Sequence, residues 1–273
     1  MPGLLEGKVG LVANLSEKHG YPWGIAQACA REGARLAFGF QERFARHVEE
    51  LSAEVPGALR LPIDFGADST DGLLASAMEQ IRAQLGGLDF VIHTAAFAPP
   101  PAMMGRVTDT ERAHFLTALD VSAYSFLQLV RAAEPLFKER GGGSAVALTY
   151  YGGEKVVPGY KIMGVAKAAL DTIGKYLAAE LGPEKIRINL LSLGPQRTVA
   201  ARGIPGFMDM FKKMADAAPL QTNIETIDAG NAAVFLVSEM GRYVTGEILH
   251  VDSGYNVLGM WTPGESTSAA GTA

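Results

Sequence analysis

The sequence predicts an α/β fold, a doubly wound parallel sheet of about seven strands in a single domain. Three observations point there. Short β-rich runs alternate with longer amphipathic runs along the chain. The short runs are mostly continuous apolar, as expected for parallel strands covered on both faces. No Pro/Ser/Gly linker and no internal repeat divides the 273 residues, a length one large α/β domain can fill.

Taken in order, the strands are read at Val9–Ala13, Arg35–Phe40, Leu59–Ile63, Phe90–Thr94, Ser144–Tyr150, Arg187–Ser192 and Glu247–Val251. Between them the spacing predicts helices at Pro22–Glu32, Arg43–Ala53, Asp71–Leu85, Thr110–Lys138, Pro158–Leu181 and Thr226–Ser238. Pro22 suits a first helical position, where its missing N–H is not needed. The domain is expected to span residues 1–260, with a flexible polar tail at 261–273.

Composition excludes several classes. A hydrophobic share of 48% with 19% charged residues fits a packed globular protein rather than a disordered one. A net charge of −5 argues against a nucleic-acid partner. Cys29 is the single cysteine, so no internal disulfide forms, which fits a reducing, cytoplasmic setting. The opening MPGLLEGK carries no apolar run of signal length, and no stretch is long and apolar enough to span a bilayer. His19, His47, His93, His114 and His250 show no metal-ligand spacing, so no metal is expected. For the lone His93, core packing is the simpler role.

Open α/β sheets of the Rossmann type bind ligands at the carboxyl ends of their strands. The first strand–turn–helix reads LVANLSEKHGYPWGIAQA and lacks the G-x-G-x-x-G fingerprint, although Gly20 and Gly24 remain where a chain can approach a pyrophosphate. The second strand ends near Gln41, which could meet a ribose 2′-hydroxyl, and Arg43, which could pair with a 2′-phosphate or sit on the surface. Asp64 and Phe65 end the third strand and suit an adenine edge. Thr94, Ala95 and Ala96, after the fourth, are small enough for a ribose to lie close.

The densest chemistry lies in TYYGGEKVVPGYKIMGVAKAAL, residues 149–170. Tyr150 stands where the fifth strand runs out. Tyr160 and Lys167 stand in a Tyr-x6-Lys spacing, two turns apart and on one face if residues 158–181 are helical. A lysine beside a phenol is expected to favour the phenolate and lower its pKa, which makes the tyrosine a plausible proton donor.

On these residues the chain resembles the short-chain dehydrogenase/reductase superfamily, and within it the divergent FabI-type enoyl-[acyl-carrier-protein] reductases, over roughly residues 5–260. Ordinary members use Tyr-x3-Lys; here that position is Met163, and Tyr160 gives the Tyr-x6-Lys spacing of the enoyl reductases. Tyr150 matches that branch, as do GIAQACAREGARLAF, DVSAYSF at Asp120–Phe126, GPQRT at Gly194–Thr198 and GEILHVDSGY at Gly246–Tyr255.

The resemblance implies NADH-dependent reduction of the trans-2 double bond of an enoyl thioester on acyl carrier protein or coenzyme A, with NADPH possible. Tyr160 would stabilise the enolate and Lys167 would hold the nicotinamide ribose. Asn14, Gly20, Tyr21, Gln41, Asp64, Phe65, Thr94, Ala95, Ala96, Gly194, Gln196 and Thr198 would contact the cofactor. Tyr150, Phe97, Met163 and Phe207 would line the acyl site, under a lid over residues 197–217, and a homotetramer is implied. Some residues depart from the pattern. Asn14 replaces the first glycine of the phosphate loop, and an Asn tolerates the left-handed backbone better than most residues. Tyr21 replaces a small aliphatic residue, Gln196 replaces the one that touches the nicotinamide, and the lid interior IPGFMDM lacks Lys and Arg. These departures keep two other readings open: a reductase of another enone or enoyl thioester, and a weakly catalytic NAD(P)-binding paralogue.

Overall fold

Seven apolar runs form seven parallel strands: β1 (Val9–Ala13), β2 (Arg35–Phe40), β3 (Leu59–Pro62), β4 (Phe90–His93), β5 (Gly143–Thr149), β6 (Ile186–Leu193) and β7 (Ile248–Val251). The computed structural model describes residues 2–67, 69–197 and 207–259, with the backbone alone for 207, 209 and 210. The strands lie in the order β3-β2-β1-β4-β5-β6-β7, every neighbouring pair parallel. The chain winds outward from β1 to β3, then restarts at β4 on the other side of β1. Strand order therefore reverses between β1 and β4, and a crevice opens at their carboxyl ends.

The continuous apolar pattern is explained by two cores, one on each face of the sheet. On one face lie α3 (Thr70–Leu85), α5 (Ser125–Glu139) and α6 (Lys161–Leu181), packed through Ile81, Phe126, Leu129 and Leu170 on Leu11, Val91 and Leu190. On the other lie α1 (Tyr21–Arg31), α2 (Ala45–Ser52) and α8 (Thr226–Val237), packed through Trp23, Ile25, Val48 and Leu236 on Val12, Phe38 and Phe90. Full burial of each large apolar side chain contributes about 1.5–3 kcal/mol. Helices α1 and α8 approach closely because Gly24 lies against the Thr226 carbonyl and Gly230 against the Gly24 carbonyl. Cys29 is buried in this second core.

Three expected helices are corrected. The run read as Arg43–Ala53 begins with a 3-10 turn, Glu42–Phe44, before α2. The run read as one helix over Thr110–Lys138 is α4 (Arg112–Leu119), a π turn (Asp120–Tyr124) and α5. A π turn adds one residue to a helical turn without interrupting the apolar pattern, which is why periodicity missed it. The helix read from Pro158 begins at Lys161, because Gly159 before it takes left-handed backbone (φ 84°) that a regular helix does not contain. Between β6 and α8, α7 (Phe207–Ala217) forms the described part of the expected lid; residues 198–206 of that lid and the tail 261–273 lie outside the described residues. Among the described residues no helix is long and apolar enough to cross a membrane.

Candidate active site

The crevice begins at the end of β1. Asn14 takes the left-handed backbone, φ 68°. The Thr94 hydroxyl donates to the carbonyls of Ala13 (2.6 Å) and Asn14 (3.3 Å), fixing this turn to the end of β4. Gly20 stands at the N-cap of α1 with no side-chain cap, and the first turn holds no acidic residue. The positive end of the helix thus carries no acidic residue in its own first turn, which suits a pyrophosphate.

Across the crevice the chain after β6 is tied back to this loop. The Tyr21 hydroxyl donates to the Gly194 carbonyl at 2.8 Å, and Gln196 Nε2 donates to the His19 carbonyl at 3.4 Å. Burial holds the Tyr21 phenol well above its ordinary pKa. Gln196 is therefore turned toward the phosphate loop. Thr198 lies outside the described residues.

At the adenosine end, Gln41 Nε2 donates to Asp64 Oδ1 at 2.7 Å, and the same oxygen accepts from the Gly66 N–H at 2.9 Å. Two expected ribose and adenine contacts are thus joined to each other. The Arg43 guanidinium stacks over Phe44 at 4.8 Å. Phe65 corrects its expected role. The residue is 3% exposed and its ring meets His93 edge-on at 5.3 Å, so the ring packs in the core instead of offering an apolar edge to the crevice. His93 is fully buried, bonded through Nε2 to Ser125 Oγ at 2.8 Å, and burial lowers its pKa to about 3.

After β4, Ala95 is buried, while Ala96 and Phe97 face outward. The π turn aims Ser122 at this segment. Ser122 Oγ accepts from the Phe97 N–H (2.9 Å) and donates to the Phe97 carbonyl (3.0 Å), and it lies 3.8 Å from Met163 Sδ. Met163 is 6% exposed, so it underlies the site more than it lines it. The Phe207 side chain lies outside what is described.

The end of β5 brings the tyrosines together. Tyr150 continues the strand in extended backbone, and Tyr160 sits at the residue before α6. Their rings meet edge to face, centroids 4.7 Å apart. Gly152 permits this, since a methyl there would strike the Tyr160 ring. The Tyr150 hydroxyl reaches Met214 Sδ of α7 at 3.8 Å, linking that helix to the site. Arg197 stacks over Phe211 of the same helix at 4.5 Å.

Lys167 is 4% exposed, and its ammonium donates to the Leu148 carbonyl at 2.7 Å. Burial lowers its pKa to about 8, with Asp171 pulling the other way. The expectation that Lys167 lowers the Tyr160 phenol is overturned. Burial, then the neighbouring Tyr150 and Asp171, push that phenol well above its ordinary value. Desolvation penalises the phenolate, and Lys167 directs a proton to a backbone carbonyl instead. Tyr160 is consequently a neutral O–H donor at pH 7, suited to receive a negative charge forming on a substrate oxygen.

Sequence reasoning missed Ser122 and Asp171. Asp171 carried a signal, because it stands four residues after Lys167 on the same helix face. Among the described residues no cluster of His, Cys, Asp and Glu could hold a metal ion.

Comparisons with known proteins agree with this geometry. Residues 15–256 match the family model described as Enoyl-(Acyl carrier protein) reductase. The chain is 42% identical over 258 residues to the NADH-dependent enoyl-[acyl-carrier-protein] reductase FabI of Rickettsia prowazekii, covering 94% of this chain and 97% of the relative. It is 41% identical to that of Bacillus subtilis, covering 93% and 97%. The Anaplasma phagocytophilum reductase, solved in complex with NAD, superposes with a TM-score of 0.90 at 39% identity over 96% of this chain and 98% of that one. The Bacillus cereus reductase, solved with NADP+ and an indole naphthyridinone, has a TM-score of 0.90 at 40% identity over 94% and 100%.

Proposed function

Since the chain belongs to the enoyl-[acyl-carrier-protein] reductase family, we propose that it reduces the trans-2 double bond of enoyl thioesters on acyl carrier protein, with NADH, in fatty acid biosynthesis. The bound cofactor supplies a hydride to the β-carbon. Electrons of the double bond move to the thioester oxygen as an enolate, which then takes a proton at the α-carbon. The neutral Tyr160 hydroxyl donates to that oxygen and is worth most as the charge develops. Lys167 keeps two N–H donors beyond the one given to Leu148, and these meet the nicotinamide ribose hydroxyls. The uncapped start of α1 takes the pyrophosphate, and the Gln41–Asp64 pair takes the adenosine ribose. Tyr150 and the Met214 face of α7 border the acyl chain.

The observation that carries this reading is the pairing of Tyr150 with Tyr160 at the end of β5, above the buried Lys167. NADH absorbance followed with crotonyl and longer enoyl thioesters tests it. Turnover is expected, faster with NADH than with NADPH. No turnover on either carrier with either cofactor overturns it. A second reading, reduction of another enone or enoyl thioester, draws on Tyr21 and Gln196 being turned across the crevice mouth; a clear preference for a non-fatty substrate would select it. The protein is further proposed to act in the cytoplasm as a homotetramer built on α4 and α5, where Phe115, Leu116 and Tyr124 are exposed. Light scattering at the tetramer mass supports that assembly, and a monomer mass excludes it.

A further inference from the structure

Behind Lys167 lies a row of polar groups that the proposed reaction does not use. Register sets Thr149 of β5 opposite Ser192 of β6, and Ser192 opposite His250 of β7. Register partners in a parallel sheet project to the same face. That face is the one under α6. Leu190, two residues before Ser192, packs beneath Gly174, and Ile248, two before His250, joins the same core. Asp171 of α6 lies at the near end of this row, where a methyl on Gly153 would stand 2.8 Å from its Oδ2.

Thr149 Oγ1, Asp171 Oδ1 and Ser192 Oγ are buried, and none has a hydrogen-bond partner among the described residues. Thr149 stands near enough to favour the Asp171 carboxylate, yet the geometry closes no hydrogen bond between them. One unpaired buried polar group costs about 1–3 kcal/mol, so three on adjoining elements mark a place where a water makes several hydrogen bonds at once. Outward, His250 Nε2 bonds Glu154 Oε1 at 2.7 Å, and Glu154 directly follows Gly153.

We propose that Thr149, Asp171 and Ser192 bind a buried water behind Lys167, and that Asp171, kept ionised by this water, is a positioning residue that holds the Lys167 ammonium charged in its buried place. The proposal rests on Lys167 serving the cofactor ribose as set out above. The charged and titratable groups around the pair are few. Lys167 meets Asp171 on its own helix and His93 from β4. Asp171 meets Lys167 and Lys175 on α6, the Tyr160 phenol at the threshold of α6, and Glu154 from the segment after β5. His93 is neutral at working pH and Lys175 adds to the positive side, so Asp171 is the nearby anion that can sustain the ammonium.

Two measurements test this. A crystal structure of the wild-type protein at a resolution that shows waters is expected to place one water within hydrogen-bond distance of all three atoms. A closed, dry cluster overturns the water site. NADH dissociation constants, titrated by fluorescence between pH 6 and 9.5, are expected to weaken on the alkaline side. In Asp171→Asn that weakening should begin about one pH unit lower, the low end of what a close opposite charge does, and Asp171→Glu should restore it. An unmoved limb overturns the role of Asp171. Should Asp171→Asn fail to fold, Ser192→Ala, which removes one hydroxyl, is expected to move the limb the same way by a smaller step, and no movement again overturns it. Failure of the underlying reading shows separately: Lys167→Ala would then bind NADH as tightly as wild type.

Discussion

Tyr150 and Tyr160 meet edge to face, with planes inclined at 70° and ring centroids 4.7 Å apart, one at the end of β5 and the other at the threshold of α6. The contact fixes the Tyr160 ring from the side and leaves its hydroxyl with no hydrogen bond to any described residue. Tyr150 directs its own hydroxyl to Met214. The two phenols therefore have different duties. Tyr160→Phe keeps the ring contact and removes the donor, so kcat should fall on the order of 10²–10³-fold, the usual loss for one oxyanion donor, with little change in Tm. Tyr150→Phe gives up only a weak contact to sulfur, and a loss below about tenfold is expected. NADH oxidation with crotonyl thioester measures both. Equal losses would contradict this division.

The pH dependence follows from Lys167. Its ammonium, with a pKa lowered to about 8 by burial, is the form proposed to donate to the ribose, so kcat/KM should decline above about pH 8. Linkage has the opposite sign for stability. The unfolded chain keeps this proton to about the ordinary lysine value of 10.4, whereas the folded chain gives it up near 8. Between those values the unfolded state binds more protons, so this residue favours folding increasingly as pH rises. Activity and Tm recorded together at pH 7 and pH 9 should therefore part, with activity falling before Tm does. A parallel fall of both would assign the limb to unfolding.

The Tyr21 hydroxyl joins the phosphate loop to the chain after β6 across 173 residues of sequence. Tyr21→Phe leaves the partly buried Gly194 carbonyl without that donor, a loss of about 1 kcal/mol by the usual net value of such a bond. A lower urea midpoint is expected, together with weaker NADH binding as the two loops loosen. Unchanged values for both would show that the clasp holds neither the fold nor the cofactor site.

The strands were legible because burial on both faces forces unbroken apolar runs, and all seven expected strands begin and end within one residue of their observed limits. The π turn at Asp120–Tyr124 was not legible, since one extra residue keeps Val121 and Phe126 on apolar faces. Tyr160 and Lys167 could be singled out by spacing, but their ionisation could not. It depends on burial and on the Leu148 carbonyl, and sequence distance reveals neither. Phe65 was misread because a strand end looks open in one dimension, while the ring of His93, from β4, packs edge-on against it. Asp171 was overlooked because a charge on a helix is usually solvated, and here the turn after β5 covers it.

Gly152 offers the sharpest separation of geometry from chemistry. Its missing side chain leaves room for both tyrosines: a methyl there would stand 2.9 Å from Tyr160 Cε1 and 3.1 Å from Tyr150 Cδ1, closer than side chains pack. Gly164 of α6 is equally constrained, since a methyl there would stand 2.6 Å from the Gly152 carbonyl oxygen, so the turn sits close on the helix. Gly152→Ala must therefore displace the rings. Overpacking of this kind costs about 1–3 kcal/mol, and a misplacement of about 1 Å at a reacting group can lower rate on the order of 10²-fold. The expected result is a large loss of kcat with NADH affinity close to wild type, because the atoms a methyl there meets first belong to Tyr160 and Tyr150. Gly182→Ala is the control, since nothing lies within 4 Å of a methyl there and its φ of −53° suits alanine; its stability should hold or rise slightly. If Gly152→Ala kept full kcat, the Tyr150–Tyr160 contact would not be what positions the donor.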